Sequence, residues 1–473
     1  MAKNPPDDVI QRLYDSYDQF LERAITLRRF KHDDILPLIH RLGEHPSVDL
    51  THEGFSTEQR EIYRLKTGSG ETTVLLWSQM HGDEPTATMA LFDLFRFFTA
   101  EGDSLVDIRT EILENLTIHA IPMLNPDGAE RYQRETAFGI DMNRDALKLQ
   151  APESRILKGV RDELEADFGF NLHDQSIFYS AGETPKSAVI SFLAPPYNEE
   201  RSVNPVRKRS MQLIGQLNKM LQKLIPGYVG AYSDEFEPRA FGDNMQKWGT
   251  STILVESGGL KGDPEKQFIR KLNYLLLLES FRSIARSEYK AYSVDQYEMI
   301  PPNRLRFHST IFRNVIIPFK GHEFELDLAV TRSEVNCNGA TDYYEHGIVS
   351  ELGDLSTFYG FEEFVGRGLH VGPGQTCPGT FVTVHDLEGV NVLELMRKGY
   401  TAVRMEEPPE GRHTAFPMNI LGPDAQQPAG PIPERDANLV FRRGDDVVYV
   451  VINGFVVDVS QPMPDIGNAL IYH

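Results

Sequence analysis

Thr73-Val74-Leu75-Leu76-Trp77-Ser78-Gln79-Met80-His81-Gly82-Asp83-Glu84-Pro85 runs from an apolar stretch of strand length directly into a histidine and a glutamate on one short loop. A short apolar run closed by polar residues reads as a buried strand. Pro85 disfavours helix at Glu84 and suits a helix start, so the chain bends between strand and helix and aims both ionisable side chains at one point.

The same alternation continues to about residue 287. Further strands are expected at 116–124, 168–173, 187–193 and 251–256, and helices at 85–98, 154–166, 205–224 and 264–286. The last two helices open alike, with Asn204 and Asp263 as N-caps and a proline at the first helical position. Strands alternating with helices predict an α/β fold, a mixed, mostly parallel sheet flanked by helices. Residues 7–43 read as amphipathic helices that extend the same domain, 1–290. After Glu288 the texture changes: Pro301-Pro302 breaks the chain, and short β-type segments follow at 324–330, 380–384 and 447–457. Residues 366–379 and 408–433 read as long loops, and 291–473 as a β-rich C-terminal region of one domain or two small ones.

The 473 residues carry 69 acidic and 48 basic side chains, a formal charge of -21 that repels nucleic acid and anionic membranes. No apolar stretch approaches the roughly 20 residues needed to span a bilayer. The start, Met1 to Asp8, lacks the apolar centre of a secretory signal, so a cytoplasmic location is expected. Two cysteines, Cys337 and Cys377, fit a reducing compartment and exclude a cysteine-rich metal site. Any metal is left to histidine and carboxylate.

In open α/β sheets ligands sit beyond the carboxyl ends of the strands. Three expected strands end there in ionisable groups: the first runs into His81 and Glu84, the third ends at His173 and the fifth at Glu256. A catalytic zinc takes three protein ligands and an open position, and His₂Glu is one established set; His81, Glu84 and His173 supply it. His119, inside a strand, reads as an ordinary hydrogen-bonded histidine.

Over roughly residues 60–287 the sequence resembles the zinc carboxypeptidase family, the carboxypeptidase A-like peptidases. The resemblance rests on His81-Gly82-Asp83-Glu84, Asn125-Pro126-Asp127-Gly128, Arg134, Gly139-Ile140-Asp141-Met142-Asn143-Arg144, His173 and Glu256, in that order. It implies one zinc per chain held by His81, Glu84 and His173, with Glu256 as the general base for a zinc-bound water. It further implies that Arg134 stabilises the oxyanion, Arg131 being the second choice. Asn143 and Arg144 then grip the terminal carboxylate, Asp141 orients a zinc-bound imidazole or merely stabilises a turn, and Tyr232 covers the substrate. Asn125 to Gly128 reads foremost as a turn. Arg239 and Asp243 either read a charged substrate side chain or pair with each other.

The implied activity is removal of the C-terminal residue from a peptide, or peptide-like substrate, with a free carboxylate. An aspartoacylase-like N-acyl amino acid deacylase would share the zinc site and the arginine. A non-catalytic peptide-binding protein on the same fold is the remaining alternative.

Overall fold

The computed structural model describes residues 6–428, 430–464 and 466–473. Residues 1–5, part of the start read above as lacking a secretory signal, lie outside the described residues. The chain forms two compact units, Met1–Leu305 with Gly339–Thr341, and Arg306–Asn338 with Asp342–His473.

The first unit is built on an eight-stranded mixed sheet. Its strands are β1 (Val48–Phe55), β2 (Glu61–Thr67), β3 (Thr72–Ser78), β4 (Leu116–Ile121), β5 (Phe168–Asp174), β7 (Ile190–Leu193), β8 (Val229–Ala231) and β9 (Ser251–Ser257), with β6 (Tyr179–Ala181) set apart. Across the sheet the order is β1-β2-β4-β3-β5-β9-β7-β8. β4, β3, β5 and β9 run parallel to one another, while antiparallel pairings join β1 to β2, β2 to β4, and β9 to β7. β6 pairs with a last short strand, β10 (Asn303–Leu305).

The helices are α1 (Pro6–Phe20), α2 (His32–Gly43), α3 (Thr86–Thr99), α4 (Val106–Asn115), α5 (Pro126–Arg131), α6 (Pro152–Leu164), α7 (Pro205–Leu224), α8 (Phe241–Lys247), α9 (Gln267–Arg286) and the single turn α10 (Asp295–Glu298). Side chains of a strand alternate between faces, and β3 divides accordingly. Val74 and Leu76 join the core under α3, α7 and α9, whereas Leu75 and Trp77 join a second core with Leu157 and Val160 of α6 and Phe241 and Met245 of α8. Burial on both faces makes the central strands continuously apolar rather than alternating, which is why they were legible. A buried ion pair binds the amino-terminal helix to this layer: Tyr17 Oη and Arg270 Nε donate to Asp93 Oδ2 at 2.8 and 2.7 Å, and Arg270 Nη1 donates to Ile25 O at 2.6 Å.

The expected α/β class is borne out, with local differences. The helix foreseen from Pro264 begins at Gln267. Asp263 still caps it, its Oδ2 accepting from the Phe268 and Ile269 amides at 3.1 and 3.2 Å, but across a turn in which Lys266 is left-handed (φ 52°). The edge strand β1 and its neighbour β2 differ from the expectation, which placed no strands there. β1 buries only Val48 fully, so it lacks the continuous apolar run that marks a buried strand.

The second unit is β-rich, as expected. One eight-stranded sheet runs through Asp342–Gly353, His322–Cys337, Phe307–Phe319, His370–Pro373, Leu439–Arg443, Asp446–Ile452 and Phe455–Asp458, with Tyr359–Val365 alongside Phe307–Phe319. A five-stranded sheet holds Gln375–Phe381, Tyr400–Met405, Asn419–Leu421, Ala469–Tyr472 and His413–Thr414. The longest helix among the described residues of this unit is Val392–Arg397. Residues 366–379, expected as a loop, instead carry the two strands His370–Pro373 and Gln375–Phe381. Their glycines and prolines, and the four-residue length of the first strand, leave too little apolar pattern to mark them. Residues 408–433, also expected as loop, include the short strands His413–Thr414 and Asn419–Leu421.

Candidate metal and substrate site

β3, β5 and β9 end side by side, with Ser78 opposite Leu172 and His173 opposite Glu256. The loop after β3 leaves the sheet through Gln79, left-handed at φ 47°, whose side-chain amide donates to Gly82 O at 3.0 Å. A turn from the Glu84 amide to His81 O, at 3.2 Å, then brings both side chains inward before α3 starts.

Gly82 is required by proximity. A Cβ there would lie 2.0 Å from the Gly128 carbonyl carbon and 2.2 Å from the Ala129 nitrogen. The Asn-Pro-Asp-Gly turn is what it meets: Asn125 caps α5 by accepting from the Gly128 amide at 2.9 Å, and its own amide donates to Met80 O at 3.3 Å. That motif therefore buttresses the His81–Glu84 loop without touching chemistry. Gly82→Ala is expected to push the loop off this turn and weaken zinc binding by about 10- to 100-fold, the range for lost ligand support. Competition with a chromogenic chelator measures it, and unaltered affinity would contradict the tight-approach reading.

His81, Glu84 and His173 are buried, and one ligand atom from each lies within 4.8 Å of the others. Among the described residues this is the group of His, Cys, Asp and Glu able to hold a metal. Glu84 sits between the rings: His81 Nδ1 is 2.8 Å from Oε1 and His173 Nδ1 is 2.6 Å from Oε2. Burial disfavours a charged His81 ring, yet Glu84 and Asp141 outweigh it and lift its pKa to about 9. Glu84 is likewise buried, but the two imidazoles hold its carboxyl below the usual range. A cation-seeking His₂Glu set with both Nδ1 atoms facing one carboxylate suits zinc.

Asp141 contacts both the His81 ring and the turn that follows it. Its Oδ1 lies 3.1 Å from His81 Nε2 and accepts from the Asn143 amide at 2.8 Å, so one oxygen meets the ring and caps the Met142–Arg144 turn. Its Oδ2 takes Arg134 Nε and Nη2 at 3.1 and 3.0 Å, and Arg134 Nη1 reaches His81 Nδ1 at 3.1 Å. Arg131, the competing arginine, turns away to Glu58 and Asp127 O.

A cavity of about 280 Å³ opens over these groups. Its walls include His81, Glu84, Arg134, Asn143, Arg144, His173, Tyr232, Asp243 and Glu256, so it gathers the residues read above for metal, base and terminal carboxylate, with Asp141 directly behind His81, while Arg239 is not among its walls. Glu256 is buried, and its Oε2 makes no hydrogen bond. Burial, reinforced by Glu84, pushes its pKa well above that of an ordinary glutamate, which moves a carboxylate toward the range useful for proton transfer at neutral pH. Tyr232 lines the same cavity and packs edge-on against Tyr179, ring centroids 6.2 Å apart.

Asn143 Oδ1 accepts from the Phe241 amide at 2.9 Å, which fixes the side chain at the cavity wall. Arg144 Nε lies 3.2 Å from Glu237, and Arg239 Nε and Nη2 each donate to that same glutamate at 3.0 Å. Arg239 and Asp243 therefore do not pair with each other. Asp243 instead accepts from the Glu237 amide at 3.1 Å, and burial raises its pKa to about 7. Glu237, Glu235, Tyr179, Leu193 and Leu254 also line the cavity and were not singled out from sequence. They lie in loops or inside strands where nothing in a single sequence separates a pocket wall from a solvated or core residue.

Residues 37–176 match the family model described as zinc carboxypeptidase, a span that contains all these positions from His81 to His173. The resemblance read from the sequence is thereby borne out, and the matched family is one of zinc enzymes. The chain is 25% identical over 163 residues to "Probable carboxypeptidase 2" of Arthroderma benhamiae, covering 34% of this chain and 28% of that protein. It is also 25% identical over 145 residues to "Carboxypeptidase N catalytic chain" of Homo sapiens, covering 26% of this chain and 32% of that protein. The match thus spans less than a third of these curated relatives. Among solved structures, a metallo-carboxypeptidase from Burkholderia cenocepacia aligns with 15% identity and a TM-score of 0.43, over 55% of this chain and 70% of that one.

Proposed function

We propose that this protein is a zinc-dependent carboxypeptidase that hydrolyses the C-terminal amide bond of peptides. The observation that carries this reading is the convergence, on one cavity, of a His₂Glu ligand set, an unpartnered buried glutamate and two arginines. Zinc held by His81, Glu84 and His173 would lower the pKa of a water to about 7 and polarise the scissile carbonyl.

The remaining steps fall to the chain's own side chains. Glu256, held beside His173 by the β5–β9 register, takes the proton of the attacking water and returns it to the leaving amine. Arg134, braced by Asp141, offers a fixed positive charge to the oxygen that becomes negative as the carbonyl is attacked. Arg144 and Asn143 receive the terminal carboxylate, Arg144 being the cation on that wall and its planar fork suited to two oxygens. Tyr232 closes over the bound residue.

The test is a comparison of short peptides with N-acyl amino acids as substrates for the zinc-loaded chain. Preference for peptides, with release of single C-terminal residues, is the expected result. A preference for small acyl amino acids would move the assignment to a deacylase, and retained peptide binding without turnover would move it to a binding protein.

A further inference from the structure

Beside the metal-binding cluster lies a buried ion pair to which no role has yet been given. Lys266 and Asp174 have side chains 8% and 7% exposed, with Nζ 2.9 Å from Oδ2. The same Oδ2 accepts from the Thr86 hydroxyl at 2.6 Å, and Lys266 Nζ also donates to Ser257 O at 3.1 Å. Thr86 opens α3 two residues after Glu84, Asp174 follows His173, and Ser257 follows Glu256. One ammonium and one carboxylate therefore join the three separate chain segments that carry the three ligands and the base.

The Ser257 end of β9 is pinned with unusual density. Its carbonyl accepts from the Gln175 amide at 3.0 Å as well as from Lys266, and its hydroxyl takes the Asn273 amide at 2.8 Å. Glu256 Oε2, in contrast, has no partner. The side chain's placement is therefore set largely by the backbone on which it stands.

Charge points the same way. Glu84, Glu256 and Asp174 crowd one end of the sheet, and buried like charges need a nearby cation to coexist. Lys266 supplies one from beneath. Its backbone is left-handed (φ 52°, ψ 29°) and its side chain does not cap α9. A non-glycine residue in that region is strained, and the buried ion pair holds it there.

We propose that Lys266, acting through Asp174 and the Ser257 carbonyl, is a positioning residue that fixes the ends of β5 and β9 and so the placement of His173 and Glu256. The inference rests on Glu256 being the base. Misplacing a reacting group by about 1 Å can cost roughly 100-fold in rate, so removing the ammonium is expected to lower kcat by about 10- to 100-fold while KM stays within about threefold.

Lys266→Met tests this, and Lys266→Gly separates it from a purely structural role, because glycine relieves the left-handed strain while deleting the ammonium. Trp77 and Trp248 are the only tryptophans and both lie in the first unit, so their fluorescence follows its unfolding. The expected result for Lys266→Gly is a lowered unfolding midpoint, because Asp174 loses its buried partner, in a chain still folded at the assay temperature, with kcat reduced as in Lys266→Met and a shifted visible spectrum when cobalt(II) replaces zinc at His173. Natural kcat in Lys266→Gly overturns the inference and leaves the carboxypeptidase reading intact. Absence of turnover in the unaltered chain strikes that reading instead, and the cobalt spectrum then decides: a spectrum superimposable on that of the unaltered chain overturns the role of Lys266.

Discussion

Glu256→Gln is expected to bind zinc as tightly as the unaltered chain while turnover falls by about 10²- to 10⁴-fold, the usual worth of a positioned general base. The substitution keeps the size and shape of the side chain, and the carboxylate is not among the three ligands that converge. Glutamine cannot take a proton from water, so the chemical step is lost with binding intact. Its stability should not suffer, because the buried Glu256 carboxyl is already pushed toward its neutral form by burial and Glu84. An amide relieves that repulsion. Near-natural turnover in Glu256→Gln would refute the assignment of the base, and loss of zinc would show that Glu256 belongs to the coordinating set.

The second large effect concerns the ligands. Chelation, or His173→Ala, is expected to abolish detectable hydrolysis, with zinc restoring activity to the chelated chain but not to the variant. Zinc binding should also depend on pH in a calculable direction. A metal ligand must be deprotonated to bind, and burial notwithstanding, Glu84 and Asp141 raise the His81 pKa to about 9. Below that pH the ring holds a proton that zinc must displace, so apparent affinity should fall by about tenfold per unit of decreasing pH. Above it, this contribution levels off. Titration calorimetry in buffers of different ionisation enthalpy counts the released proton, and a pH-independent affinity between pH 7 and 8 would contradict the proposed tie between His81 and its two carboxylates.

The parts of this protein that were legible from sequence share one physical property: they are local. The run from Thr73 to Pro85 could be read because a strand buried on both faces is continuously apolar and a proline marks the bend after it. The terminal positions of His173 and Glu256 on their strands were visible for the same reason. What could not be read depends on contacts between distant segments. Asp141 reads as either a turn residue or a histidine partner, and only the fold brings one of its oxygens to both the His81 ring and the Asn143 amide. Glu237 carries no motif, yet it holds both Arg144 and Arg239. Lys266 sits in a polar turn whose sequence resembles any solvated loop, while its side chain runs inward to Asp174. The role of Gly82 likewise became apparent only when Gly128 was found pressed against it. In the second unit, short strands rich in glycine and proline hid within stretches that read as loops.

The central claim is that Arg144 and Asn143 turn a hydrolytic metal site into one that requires a free C-terminal carboxylate. Its most direct test is a time course, followed by mass spectrometry, of the zinc-loaded chain acting on paired peptides that differ only in ending as a carboxylate or a carboxamide. Stepwise loss of single residues from the carboxylate peptide, with the carboxamide left intact, is the result expected. Equal cleavage of both, cleavage at internal bonds, or no cleavage of either would contradict it.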